Sequence, residues 1–405
     1  MKKSLIITIV CFALGVVVLA AGFILLTDNE ISKSIFTTTT TTTTKAPAEP
    51  APEYKVYNFY EENISDWITL GDYKGLKVEV EQTKISEADI DMQIHILLCQ
   101  KDLQSKQLSG NVTQKVIFNF DYTGYLLKDD GTRGEAFEGG TGTNQLAYID
   151  GNDLVTVSSS GLGGFIDGFA QGMIGMSVGE KKSIKITFPD DYSAEMAGKK
   201  TEFEVKINYI AKTTFDNATA SYISNNTYKT VSEYRQSVRK DLEDALKEQN
   251  NQSILLEILN NATVVASVEK QNEYIFGLFC AEVDYYVEMY QAYGISFGDM
   301  LKQFGFNSVA ELREYSEEYA KSENGQLTIK SSALNYAIIE AEKFEITDEE
   351  YKEALKKLCE DNKKTEEELY EEFTEATIKS YIEENILIEK ASEFILNNNS
   401  CIDKK

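Results

Sequence analysis

The chain has 405 residues, 42% of them hydrophobic, and a formal net charge of −26. That length allows two or three domains and that composition supports real cores, which excludes a wholly disordered protein. So acidic a chain argues against nucleic-acid phosphate as a partner and predicts a soluble, self-repelling surface.

Lys2 and Lys3 precede an uncharged run from Ser4 to Leu26, twenty-three residues long. A helix of that length spans a hydrocarbon core, and the flanking lysines place the N-terminus inside and the remainder outside the cell. A cleaved signal peptide is the rival reading, with Val18-Leu19-Ala20 as its cleavage site. The apolar run continues to Leu26, longer than a signal core, so an uncleaved single-pass anchor over 1–26 is expected. Eight threonines at 37–44 and then KAPAEPAPEY give a solvated stalk over 27–54. At about 3 Å per residue it reaches on the order of 80 Å from the membrane.

LKVEVEQT at 76–83 reads as extended, and Ser86–Gln107 reads as helical. Further on, Phe118, Phe120 and Tyr122 alternate with Asn119 and Asp121, and Ile184, Ile186 and Phe188 with Lys185 and Thr187. Phe203, Val205, Ile207 and Tyr209 alternate with Glu204, Lys206 and Asn208. These are half-buried strands of an antiparallel sheet, with a turn at Asp130-Gly131. The fold class is therefore α+β, the sheet lying within 113–212 and preceded by a segment over 55–112.

Only four prolines occur, the last at Pro189. None follows to Lys405, which suits long helices, because an interior proline costs about 3 kcal/mol. Capping boxes start at Thr230, Ser308, Thr347 and Thr365, each with glutamate three residues on. Val231, Tyr234, Val238, Leu242 and Leu246 recur at helical spacing. Residues 213–400 thus form an all-α domain. The stretch 274–306, dense in aromatics and methionines, reads either as helix core or as an adaptable surface for varied partners.

Chemistry-bearing motifs are few. Cys99, Cys280, Cys359 and Cys401 are scattered without paired spacing, and Cys11 lies in the apolar run. His95 is the single histidine, so histidine-dependent triads and zinc sites are all but excluded by count. No metal or cofactor is expected. Between Gly164 and Met176 runs GFIDGFAQGMIGM. It lacks the lysine and hydroxyl of a phosphate loop, and Asp167 and Gln171 spoil it as a membrane-dimer face. It reads instead as a strand, a tight turn and a short helix carrying Phe165, Ile166 and Phe169, either as core or as the floor of an apolar site.

DYTG at 121–124, AFEGG at 136–140, FIDGFAQGMIGMSVGEKKSIKITFPDDY at 165–192 and AGKKTEFEVKI at 197–207 occur in this order. Together they resemble the FKBP-type peptidyl-prolyl isomerase domain, in the version found in bacterial trigger factor. LGDYKGLKVEVEQTKISEADID at 70–91 is similar to the segment preceding that domain, and 215–244 is similar to the start of the helical C-terminal domain. The resemblance covers roughly 70–398. It implies a rotamase and chaperone, a foldase that binds unfolded or newly exported polypeptides containing X–Pro bonds. It also implies site residues: Tyr122, Phe137 and Phe203 as aromatic walls, Phe165 and Ile166 as the pair whose backbone amide meets the ligand, and Phe169 as the floor. Glu138 stands where an aspartate is common, and Tyr192 is a rim hydroxyl. The family's ribosome-binding domain is replaced by the apolar run and stalk, so ribosome docking is not expected and a workplace outside the membrane is. The longer segment 141–164 is expected to reshape one wall. Two rival functions stand beside this: a holdase without catalysis, and a stalked surface protein with one dedicated partner.

Overall fold

The computed structural model describes residues 50–157, 165–190, 192, 195–290 and 293–404. The expected anchor over 1–26, most of the stalk and the end of the 141–164 segment lie outside them. Among the described residues no helix is long and apolar enough to cross a membrane. The chain forms two compact units: 84–248, and a second built from both ends of the chain, 50–83 with 249–404.

The first unit opens with helix α1, Glu87–Gln100, started by Ser86, whose hydroxyl accepts from the Asp89 amide while the Asp89 carboxylate accepts from the Ser86 amide. That is a capping box closed by aspartate in place of glutamate. The helix stops seven residues short of the expected Gln107. Asp102 turns left-handed with φ 56°, and the Leu103 amide reaches back 2.9 Å to the Leu98 carbonyl, closing the helix end as a Schellman turn does. Ser105–Gln107 then forms a strand against the far end of the sheet.

That sheet is antiparallel throughout. Taking β1 as Ile68–Thr69, β2 as Lys77–Val80 and β3 as Ser105–Gln107, its further strands are β4 Phe118–Leu127, β5 Arg133–Asp150, β6 Asp153–Thr156, β7 Lys181–Thr187 and β8 Lys200–Lys212. Their order is β3-β8-β4-β5-β6, with β7 also on β8. The described part of the longer segment is the β5–β6 hairpin, which adds an edge strand and sends Ala147, Ile149 and Leu154 into the core. A five-residue helix α2, Phe169–Met173, covers one face. Phe165 and Ile166 lie on its approach and not in it. The approach ends at Gly168, φ 89°, a conformation that favours glycine.

One sequence alternation breaks. Phe203, Val205 and Ile207 belong to the core under α2, but Tyr209 joins Cys99, Ile117 and Ala211 on the opposite face. Pairing with β4 jumps from Asn119↔Tyr209 to Phe120↔Ile207, so Asn208 is an extra residue. A one-residue bulge inverts which face every later side chain meets. Met92 and Ile96 of α1 cover that second face. Asn119, expected to be exposed, is buried and bonded to Asn144 and Asn208 instead. Helix α3, Asn217–Ile223, and the first part of α4, Val231–Asn261, complete the unit. Val238 packs there on Ile90, Ile94 and Leu98.

The second unit contains β9 Thr263–Val264, helices α5 Val268–Met289, α6 Phe297–Gln303, α7 Val309–Lys321, α8 Glu323–Glu342, α9 Asp348–Asn362, α10 Glu366–Glu372 and α11 Glu375–Asn398, and β10 Ser400–Asp403. The two short strands depart from the all-helical expectation. β9 pairs with β1, and β10 lies parallel to β2, joining positions more than three hundred residues apart. Trp67, fully buried, centres the core with Phe59, Tyr274 and Ile275. Reciprocal caps form at Thr347 and Thr365 and, on α4, at Thr230. At Ser308 the box is half made, because Glu311 accepts from the Asn307 amide.

Candidate functional site

Phe169 lies at 0% exposure on α2, and four rings surround it. Phe165 stacks on it at 4.8 Å and 14°. Phe203 of β8 meets it edge-on at 5.1 Å, and Tyr122 of β4 does so at 5.8 Å. Phe120 lies at 6.5 Å. Phe137 of β5 extends the group through an edge contact with Phe203 at 5.8 Å. Phe169, Phe203 and Tyr122 are buried, whereas Phe137, Phe165 and Ile166 are half-buried. A floor of buried rings therefore carries a rim of partly accessible ones.

The strands can carry such bulk because three facing positions are glycine. A β-carbon at Gly124 would stand 2.6 Å from Phe203 and 2.7 Å from Phe137, and one at Gly140 2.6 Å from Phe137. At Gly142 it would strike the Tyr122 ring. Gly124 of DYTG and Gly140 of AFEGG thus leave room for Phe137 and Phe203, and Gly142, just beyond them, leaves room for Tyr122.

Two polar groups stand in this apolar setting. The Tyr122 hydroxyl makes no hydrogen bond among the described residues, and burial alone raises its pKa above the ordinary phenol range. The Ile166 carbonyl accepts from the Phe169 amide at 3.2 Å, while the Ile166 amide finds no backbone acceptor among the described residues. Among the described residues the cluster contains no cation and no nucleophile pair, and what it offers is shape and apolarity.

The remaining expected residues stand further out. Tyr192 is 44% exposed and joins the group through Phe188, 4.8 Å from it. Phe188 also meets Phe137 edge-on at 5.9 Å. Glu138 is exposed, and the structure gives it no hydrogen bond or ion pair among the described residues. Sequence reasoning missed Phe188, Phe120 and Gly142 as members of the cluster. The first two carried a signal, since both lie on the alternating faces of strands. Gly142 carried none, because a close approach is visible only in three dimensions.

This arrangement defines an antiparallel sheet closed over an aromatic cluster by a short helix. Residues 110–216 match the family of FKBP-type peptidyl-prolyl cis-trans isomerases, and residues 230–397 match the C-terminus of bacterial trigger factor. The chain is a trigger factor-like protein, an FKBP-type domain joined to a trigger factor C-terminal domain. It is 28% identical over 306 residues to the trigger factor of Shouchella clausii, covering 75% of this chain and 65% of that one. To that of Macrococcus caseolyticus it is 29% identical over 304 residues, 72% and 64% of the two chains. The chain thus spans somewhat less than two thirds of the length of these relatives. A solved chain of the trigger factor chaperone aligns over 82% of this chain and 73% of its own at 14% identity, with a TM-score of 0.31, too slight a likeness to argue from.

Proposed function

We propose that this protein is a peptidyl-prolyl cis-trans isomerase and chaperone for exported polypeptides, working on the outer side of a membrane in which residues 1–26 anchor it. The observation that carries the catalytic half is the floor of buried rings beside the Tyr122 hydroxyl and the Ile166 amide, which find no hydrogen-bond partner among the described residues. Rotation about an X–Pro bond faces a barrier of about 18–20 kcal/mol and takes tens to hundreds of seconds unaided. No bond is broken, so the site need only bind the twisted amide more tightly than either planar form. Twisting removes resonance and makes the carbonyl less polar, which a water-poor aromatic cluster favours. Phe169 would floor the proline ring, with Phe165, Phe203, Tyr122 and Phe137 around it. The Ile166 amide and Tyr122 hydroxyl would hold the flanking backbone. The Glu138 carboxylate and Tyr192 hydroxyl belong to the same proposal as rim groups for substrate residues beyond the proline.

The chaperone half rests on the family match over 230–397 and on exposed Met289 at the end of α5 and exposed Tyr293 after it. Such polarizable and aromatic side chains adapt to varied clients. The export-side location rests on the apolar run and stalk of the sequence.

A protease-coupled proline-peptide assay on the full chain tests the catalytic reading. Phe169→Ala is a poor probe, since emptying so buried a site costs about 3–5 kcal/mol, a large part of a domain's stability. Half-buried Phe165 is the better choice. Phe165→Ala is expected to lower kcat/KM at least tenfold with the fold retained, and wild-type protein with no activity would sink the enzymatic reading.

A further inference from the structure

Residues 51–58, which overlap the end of the expected stalk, lie against α5 without joining any strand. Their backbone makes no hydrogen bond to the helices among the described residues. Side chains hold them instead. The Tyr54 hydroxyl donates to Asp284 at 2.6 Å, and the Tyr57 hydroxyl donates to Glu273 at 2.9 Å. The Tyr57 ring also meets Trp67 at 4.9 Å and Tyr274 at 6.1 Å, both edge-on. Glu53, Lys55, Val56 and Asn58, between and beside these anchors, are exposed. The segment thus runs antiparallel to α5, from Asp284 back to Glu273.

The helix is shaped for this passage. Gly277 lies mid-helix, where glycine costs about 1 kcal/mol relative to alanine. A β-carbon there would collide with the Lys55 carbonyl. The missing side chain makes a channel for a crossing backbone, between two carboxylates that receive tyrosine hydroxyls. Between the anchors, the Lys55 ammonium lies 3.7 Å over the Tyr57 ring and pairs with Glu62 at 3.5 Å, so it adds to the hold of the segment without touching the helix.

We propose that this face of α5 is a binding groove for extended, tyrosine-bearing polypeptide segments, and that residues 53–58 are its resident occupant, displaced by clients in competition. The proposal deepens the chaperone reading and rests on it, naming the surface and the client chemistry. A tethered occupant acts at an effective concentration of about millimolar, which masks the groove from weak clients and admits strong or abundant ones.

The test uses the full chain. Tyr54→Ala/Tyr57→Ala removes both anchors and leaves Gly277, Asp284 and Glu273 in place. Trypsin cleavage after exposed Lys55, followed by mass spectrometry, is expected to speed up about tenfold as the segment lifts. A fluorescein-labelled peptide of residues 51–60 is expected to bind this variant about tenfold more tightly than wild type, since the competitor is gone. Gly277→Ala, which closes the channel, should also speed cleavage at Lys55 but gain no affinity for the peptide. Circular dichroism confirms that each variant is folded, and Tyr54→Phe/Tyr57→Phe repeats the experiment with only the hydroxyls removed, should the alanine pair unfold. Unchanged cleavage overturns the proposal, as does faster cleavage without tighter peptide binding, or equal gain in Gly277→Ala. Suppression of aggregation by wild type is measured alongside. Its absence strikes the chaperone reading, whereas failed exchange with suppression intact strikes only the groove.

Discussion

Tyr122 and Gly142 show how much of the candidate site depends on single groups. The Tyr122 ring is packed by Phe120, Phe165 and Phe169, while its hydroxyl bonds to nothing among the described residues. Tyr122→Phe therefore keeps the packing and removes the hydrogen bond proposed to substrate, worth about 1 kcal/mol. The expected result is a drop of about fivefold in kcat/KM, with the thermal midpoint unchanged within a degree or two. Gly142→Ala acts differently, because its methyl meets the ring. Displacing the ring by about an ångström is expected to cost ten- to a hundredfold in activity and to lower the midpoint as well. Equal effects of the two changes on stability would refute the assignment of Gly142 as the space for that ring. Tyr122, Phe137, Phe165, Phe169 and Phe203 were legible in the sequence because each sits in an ordered motif, whereas Phe120 lies outside them. Gly124 and Gly140 were legible only as motif letters, Gly142 not at all, and Phe188 only as one more strand residue, since ring-to-ring contact is not a property of spacing.

Among the helices, caps do much of the local specification, and one of them is tuned by pH. Glu350 accepts from the Thr347 amide and pairs with Lys390 at 2.7 Å. The lysine first, then the capping amide, hold its carboxyl down at about 2, from an ordinary 4.5. A carboxylate with a depressed folded-state pKa contributes stability that is complete above 4.5 and lost as pH falls toward 2. The thermal midpoint of wild type is thus expected to fall more between pH 5 and pH 2.5 than that of Glu350→Gln, with equal falls counting against this linkage. Strong screening at this exposed site keeps the effect modest. Helix starts were readable from hydroxyl–glutamate pairs, because a cap is a local bond between residues three apart. The end of α1 was not, since a charged, helix-compatible run continues past Gln100 until Asp102 adopts a left-handed turn. Nor was the inversion at Tyr209. A bulge is decided by the partner strand, and no feature of β8 alone announces it.

At the scale of the whole molecule, the aromatic cluster lies in one compact unit and the α5 surface in the other. Phe165→Ala is therefore expected to slow proline-peptide isomerisation at least tenfold while aggregation of an unfolded test protein is still suppressed. Joint loss of both activities in a folded variant would mean that clients reach the second unit only through the first. Sequence by itself determined the class of each part: a proline-free helical half, an antiparallel sheet with a glycine-punctuated short helix, and four motifs in family order. Those are local signals, written in propensity, alternation and caps. Tertiary structure decided what lies beside what. It brought Lys77–Val80 against Ser400–Asp403, set Trp67 into the helical core, and laid residues 51–58 over Gly277. Such contacts join segments hundreds of residues apart. Their selection depends on which surfaces bury apolar area together and which backbones fit, and no stretch of the chain carries that information alone.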